Sequence, residues 1–195
     1  DAVTKDGKEI EIVCNIGGIS DLVSGLEEGA EGVGLFRTEF LYMESSDFPT
    51  EDVQFEVYKE ATELLGEKPL IIRTLDIGGD KGLDYFKFPV EENPFLGYRA
   101  IRLCLDKEDI FRTQLRALVR ASAFGNLKIM IPFVVNIDEL KKSIELVEEI
   151  KHELDQEGID YNKDLDVGIM VETSASIIMA DKFIKYADFF SIGTN

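Results

Sequence analysis

The chain has 195 residues, 45% of them hydrophobic, enough for one domain with a sizeable core. Its 39 acidic residues against 21 basic ones give a net charge of −18, which repels nucleic acid and anionic membranes and leaves an anionic ligand to be held only where positive groups gather. No run of about 18 apolar residues marks a membrane insertion, and the opening DAVTKDGKEIEIV has no apolar signal core, so a cytoplasmic protein with Cys14 and Cys104 as reduced thiols is expected.

In chain order, strand and helix alternate. EIEIVCNIG (9–17) reads as a strand and SDLVSGLEEGA (20–30) as a short helix capped by Ser20 or Asp21. GVGLFRTEF (32–40) is the second strand. Residues 50–66, entered through Pro49, carry Val53, Val57, Ala61 and Leu64/Leu65 at helical spacing. PLIIRTLDIGG (69–79) is the third strand, and a Gly-, Pro- and Asn-rich connection covers 78–98. A helix over 109–125 ends on Gly125, and LKIMIPFVV (127–135) is the fourth strand. A long amphipathic helix over 137–158 closes on Gly158, followed by strand DVGIMVET (166–173), a helix over 174–187 and strand DFFSIGTN (188–195). No linker divides the chain, so residues 1–195 read as one domain.

Apolar strands alternating with helices imply a parallel sheet covered by helices. An open doubly wound sheet and a closed barrel both satisfy that pattern. A barrel takes about 250 residues, roughly 31 per unit, and the six expected strands keep that pitch. An open six-strand piece would also leave two edges and one side of its core bare. The expected fold is therefore α/β, a (β/α)8 TIM-type barrel represented by about six of its eight strand–helix units.

Ligands in such folds meet the C-terminal strand ends. Polar residues recur there: Asn15, Arg37-Thr38-Glu39, Arg73-Thr74-Leu75-Asp76, Glu172-Thr173 and Gly193-Thr194-Asn195. Any one of them is as readily a rim salt bridge, Arg37 with Glu172 for example; together they point to a site. Arg112, Arg116 and Arg120 are spaced i, i+4, i+8 and read as a solvated helix face. Arg37 and Arg73 instead each follow a buried strand. Guanidinium forks bind phosphate and carboxylate oxygens bidentately, so a small ligand bearing both groups is expected. Glu172 beside them fits a hard cation such as Mg²⁺. Gly78-Gly79 before Lys81 is a weaker phosphate signal that matches neither the P-loop nor the dinucleotide fingerprint. The single histidine, His152, lies in a charged helical stretch and reads as a surface residue.

GVGLFRTEFLYM, RTLDIGGDK, ENPFLGYRAIR, RASAFG and DFFSIGTN, in that order and over essentially the whole chain, resemble the phosphoenolpyruvate-utilising enzymes. Within that family they are most similar to the phosphotransferases of bacterial sugar uptake, ahead of phosphoenolpyruvate synthase and pyruvate phosphate dikinase. The resemblance implies a barrel that binds phosphoenolpyruvate (PEP) and Mg²⁺. Arg37 and Arg73 would hold the phosphate, with Arg99 a further active-site arginine and Glu172 a Mg²⁺ ligand. Asn195 would contact the phosphate through its backbone, Lys81 would be a phosphate-side contact, and Glu39 would orient the arginines. The resemblance also implies transfer to a histidine in a separate N-terminal domain, then to a phosphocarrier protein, and a homodimer formed through the barrel. It places a second metal-binding aspartate, a later arginine and a proton-donating cysteine beyond residue 195. No catalytic residue is therefore expected within this stretch, which is expected to be inactive alone; a non-catalytic PEP-binding and dimerisation module is the rival reading. Ser174 stands where the family usually has proline.

Overall fold

The fold opens with an antiparallel hairpin, β1 (Ala2–Val3) and β2 (Glu9–Ile10), turned through Gly7 at φ +86°. The strand expected over 9–17 therefore divides, and only β3 (Cys14–Ile16) enters the main sheet. A parallel-sheet strand is buried on both faces, which Glu9 and Glu11 do not allow; Ile10 and Ile12 stay exposed with them. Coordinates come from a computed structural model, which describes residues 2–79 and 82–193. After β3 come α1 (Ile19–Glu27), β4 (Val33–Arg37), α2 (Glu39–Met43), α3 (Glu51–Leu65) and β5 (Leu70–Arg73). Then follow α4 (Ile101–Asp106), α5 (Glu108–Ala121), β6 (Leu127–Ile131), α6 (Ile137–Glu157), β7 (Val167–Val171), α7 (Ser174–Ile178), α8 (Ala180–Phe183) and β8 (Phe190–Ile192). The short helices α2 and α4 had no helical period to announce them, and the helix expected over 174–187 breaks at Met179.

Strands β3 to β8 form one parallel sheet in chain order. Their outward apolar side chains, among them Phe36, Ile72, Ile129 and Ile169, are buried against the helices. The sheet curls, since residues of β3, β4, β5 and β7 and the residue after β8 line a common cleft. The six strands are thus a partial TIM-type barrel with its helices outside. Among the described residues, no helix is long and apolar enough to cross a membrane. Cys14 and Cys104 are free thiols, and His152 lies exposed on α6, bonded to Gln156.

Helix α6 starts on a capping box formed by Asn136 and Glu139 and stops at Gly158, left-handed at φ +69°. Helix α5 packs between α3 and α6 and buries Phe111, Leu115 and Leu118. Its arginines are not the solvated face that their spacing implied. Arg112 pairs with Glu149 and Glu153, Arg116 with Glu51, Glu153 and Glu157, and Arg120 with Glu51 and Asp52. The three side chains are only 18–29% exposed, because acids from both neighbouring helices close over them. Arg116→Leu is expected to lower stability by about 1 kcal/mol in a urea melt. The deficit should shrink near 1 M salt, where the Debye length is about 3 Å; a salt-independent deficit would assign the effect to packing instead.

Candidate functional site

The parallel ladder sets the geometry of the cleft. Arg37 ends β4 and Arg73 ends β5, and the two are paired in register. Their backbones therefore stand about 4.8 Å apart, at the same end of the sheet. Glu172 follows β7 directly, and Phe133 lies two residues past β6. These ends surround a cleft of about 810 Å³, within the range of small-ligand pockets, lined in part by Asn15, Arg37, Arg73, Asp76, Arg99 and Glu172.

Arg73 is 5% exposed. Its Nη2 donates to Glu39 Oε1 at 2.8 Å, and its Nη1 lies 3.0 Å from Asp76 Oδ2. The other Asp76 oxygen, Oδ1, accepts from Arg99 Nη2 at 2.6 Å. One carboxylate thus bridges two guanidinium groups, and Glu39 braces the first of them from α2. A buried guanidinium is tolerable only with such partners. Arg37 differs. It is partly buried, its guanidinium stacks 5.1 Å from the Phe40 ring centroid, and no carboxylate of the described residues lies in ion-pair range. Among the described residues, the buried Nε–H groups of Arg37, Arg73 and Arg99 have no acceptor.

The rim pair of Arg37 with Glu172 does not form. Glu172 Oε1 instead accepts from the Phe133 N–H at 2.8 Å. Phe133 sits at φ +59°, a left-handed conformation that bulky residues rarely adopt. Its ring meets both Arg99 and Arg102, each guanidinium 5.1 Å from the centroid. Burial pushes the Glu172 carboxyl above the ordinary glutamate range; the Phe133 N–H pulls it down, Asp76 adds to the rise, and Arg73 and Arg99 oppose it. Among the described residues, no group of three His, Cys, Asp or Glu side chains could hold a metal. Glu172 can therefore offer a hard cation one carboxylate, while the described residues by themselves make no complete protein shell.

The glycine pair read as a phosphate approach packs against Arg99. Gly78 is at φ +121°, and a Cβ on it would lie 2.3 Å from Arg99 Cβ; Gly79, at φ +71°, faces Arg99 Nη1. Lys81 and Asn195 lie outside the described residues. The structure thus gathers Arg37, Arg73, Arg99 and Glu172 in one cleft. Asp76, one of the strand-end polar residues already grouped in the sequence, lines the same cleft and pairs with Arg73 at i+3. The structure also adds Phe133, whose role depends on a backbone angle that no residue pattern signals.

Over residues 1–195 the chain matches the PEP-utilising enzyme family's PEP-binding domain. It is 57% identical over 194 residues to a phosphoenolpyruvate-protein phosphotransferase of Mycoplasma capricolum subsp. capricolum. It is 55% identical over 195 residues to one of Staphylococcus aureus and 54% over 193 to one of Priestia megaterium. These alignments take in 99–100% of this chain and 34% of each relative, so the chain spans about a third of the length of the curated relatives it matches. Matched from its first residue to its last, and folded as part of the barrel that the resemblance implied, the chain belongs to the PEP-utilising enzyme family as a PEP-binding domain.

Proposed function

We propose that this barrel holds PEP for a PEP–protein phosphotransferase, which passes the phosphoryl group to a histidine and on to a phosphocarrier protein in sugar uptake. The observation that carries this reading is Arg37, a partly buried cation with no acidic partner among the described residues, in register beside an Arg73 already fixed by two carboxylates. In a chain of charge −18, a cation left over in this way favours an anionic ligand. The phosphate would sit across Arg37 and Arg73, with Arg99, Lys81 and the Asn195 backbone as further contacts. Glu39 and Asp76 keep Arg73 and Arg99 aimed before the ligand arrives, so little reorganisation is left for the transfer itself. Mg²⁺, when bound, would offset negative charge on the ligand, and Glu172 would supply a protein oxygen to hold it. The names of the three relatives favour this activity over a synthase or dikinase. A cytoplasmic homodimer joined through the barrel belongs to the same reading.

Calorimetric titration of the full-length protein with PEP is expected to show one site that tightens when Mg²⁺ is added. Glu172→Gln should keep the Mg²⁺-free affinity and lose the increment. An unchanged increment would remove Glu172 from the metal. No binding at about 1 mM PEP, the weak end of ordinary substrate affinities, would overturn the function.

A further inference from the structure

The backbone ladder between β4 and β5 stops at the Arg37–Arg73 pair. Past that pair, the segments carrying Glu39 and Asp76 share no backbone hydrogen bond among the described residues; the Thr74 N–H turns to Met130 O on the other side. A buried side-chain relay joins them instead. Thr38 Oγ1 donates to Arg73 O at 2.8 Å. Gln114, reaching in from α5, donates from Nε2 to Thr38 Oγ1 at 3.1 Å and accepts the Leu75 N–H on Oε1 at 2.8 Å. The Nε2 also reaches Tyr58 Oη at 3.2 Å, and Tyr58 in turn donates to Gln54 Oε1 at 3.0 Å.

Gln114 is fully buried at 0% exposure. An amide there costs stability unless every group is bonded, and a leucine or methionine would fill the same space. The two ends of this amide go to the rim after β4 and the rim after β5. We infer that Gln114 is a positioning residue for the arginine pair. It touches no ligand; it fixes how far the Thr38–Glu39 segment stands from the Leu75–Asp76 segment, and so how Arg37 and Arg73 together meet a phosphate. This rests on the PEP reading above.

The test is the PEP dissociation constant of the full-length protein, taken where melting curves show each variant folded. Gln114→Met keeps the length and loses the bonds; PEP binding is expected to weaken about 10- to 100-fold, the scale of a small misplacement of binding groups. Thr38→Val breaks the relay from its other end and should weaken binding in the same direction; it decides the matter if Gln114→Met does not fold. Gln114→Glu keeps the acceptor for Leu75 and should fall in between. Leu118→Ala, equally buried on α5 but outside the relay, should lower the melting temperature while leaving the dissociation constant within about twofold. Folded Gln114→Met or Thr38→Val protein that binds PEP like Leu118→Ala would overturn the inference. The unaltered protein titrated in the same series separates the two failures: if it shows no binding at about 1 mM PEP, the PEP reading has failed rather than the positioning.

Discussion

Arg73→Leu is expected to remove PEP binding and to cost the domain about 3 kcal/mol of folding stability, the lower part of the range for breaking a buried ion pair. The double loss follows from how Arg73 is seated. Its guanidinium serves Glu39 on one side and Asp76 on the other, and both carboxylates are nearly closed to water. Taking the cation away leaves buried negative charge with less compensation. Asp76 keeps Arg99 on its second oxygen, which places the cost below the upper limit of that range. Denaturant unfolding measures the stability, and calorimetry the ligand. Adding Asp76→Asn to Arg73→Leu should recover part of the stability and none of the binding. If the single variant binds PEP as the parent does, Arg73 is a structural rim residue and the phosphate lies elsewhere.

Arg37→Lys is expected to weaken PEP binding tenfold or more, roughly 1.4 kcal/mol, while unfolding free energy moves by less than about 0.5 kcal/mol. Arg37 has no ion pair among the described residues, so its replacement strands no carboxylate. Lysine preserves the positive charge and gives up the planar fork and its stacking on Phe40. Arg37→Ala, which loses both, should bind more weakly still. Parent-like affinity in the lysine variant would mean that charge alone suffices. The two arginines stand side by side in the ladder, yet one couples ligand binding to folding and the other separates them. Comparing the two variants is therefore more informative than either alone.

The sheet and the polarity of the site were readable because parallel sheets make one strong demand. A strand covered on both faces must be apolar nearly throughout, and the stretches around Val33–Phe36, Leu70–Ile72, Leu127–Ile131 and Val167–Val171 each meet it. The polar residue that ends three of these stretches then has to sit at the same end of the sheet, which is why Arg37, Arg73 and Glu172 could be grouped. The ends of α6 were marked by short-range chemistry at Asn136, Glu139 and Gly158. What stayed hidden depends on neighbours. The spacing of Arg112, Arg116 and Arg120 gives a face but not what covers it, and α3 and α6 cover it with acids. Gln114 sits in an ordinary helical stretch, and its partners lie 39 and 76 positions away. The split of residues 9–17 came from a hairpin whose other strand, Ala2–Val3, is too short to read as one.

Strand order in the sheet equals strand order in the chain. Each pairing between β3 and β8 joins strands that are consecutive in the sheet and in the chain, so each closure is entropically modest. On the ribosome, β4 and β5, whose pairing sets Arg37 beside Arg73, are both made early in this stretch of chain. Glu172 is added roughly a hundred residues later, which at about 5–20 residues per second is a delay on the order of 5–20 s. The two arginines that share a rung of the ladder are thus synthesised well before the carboxylate that lines the same cleft.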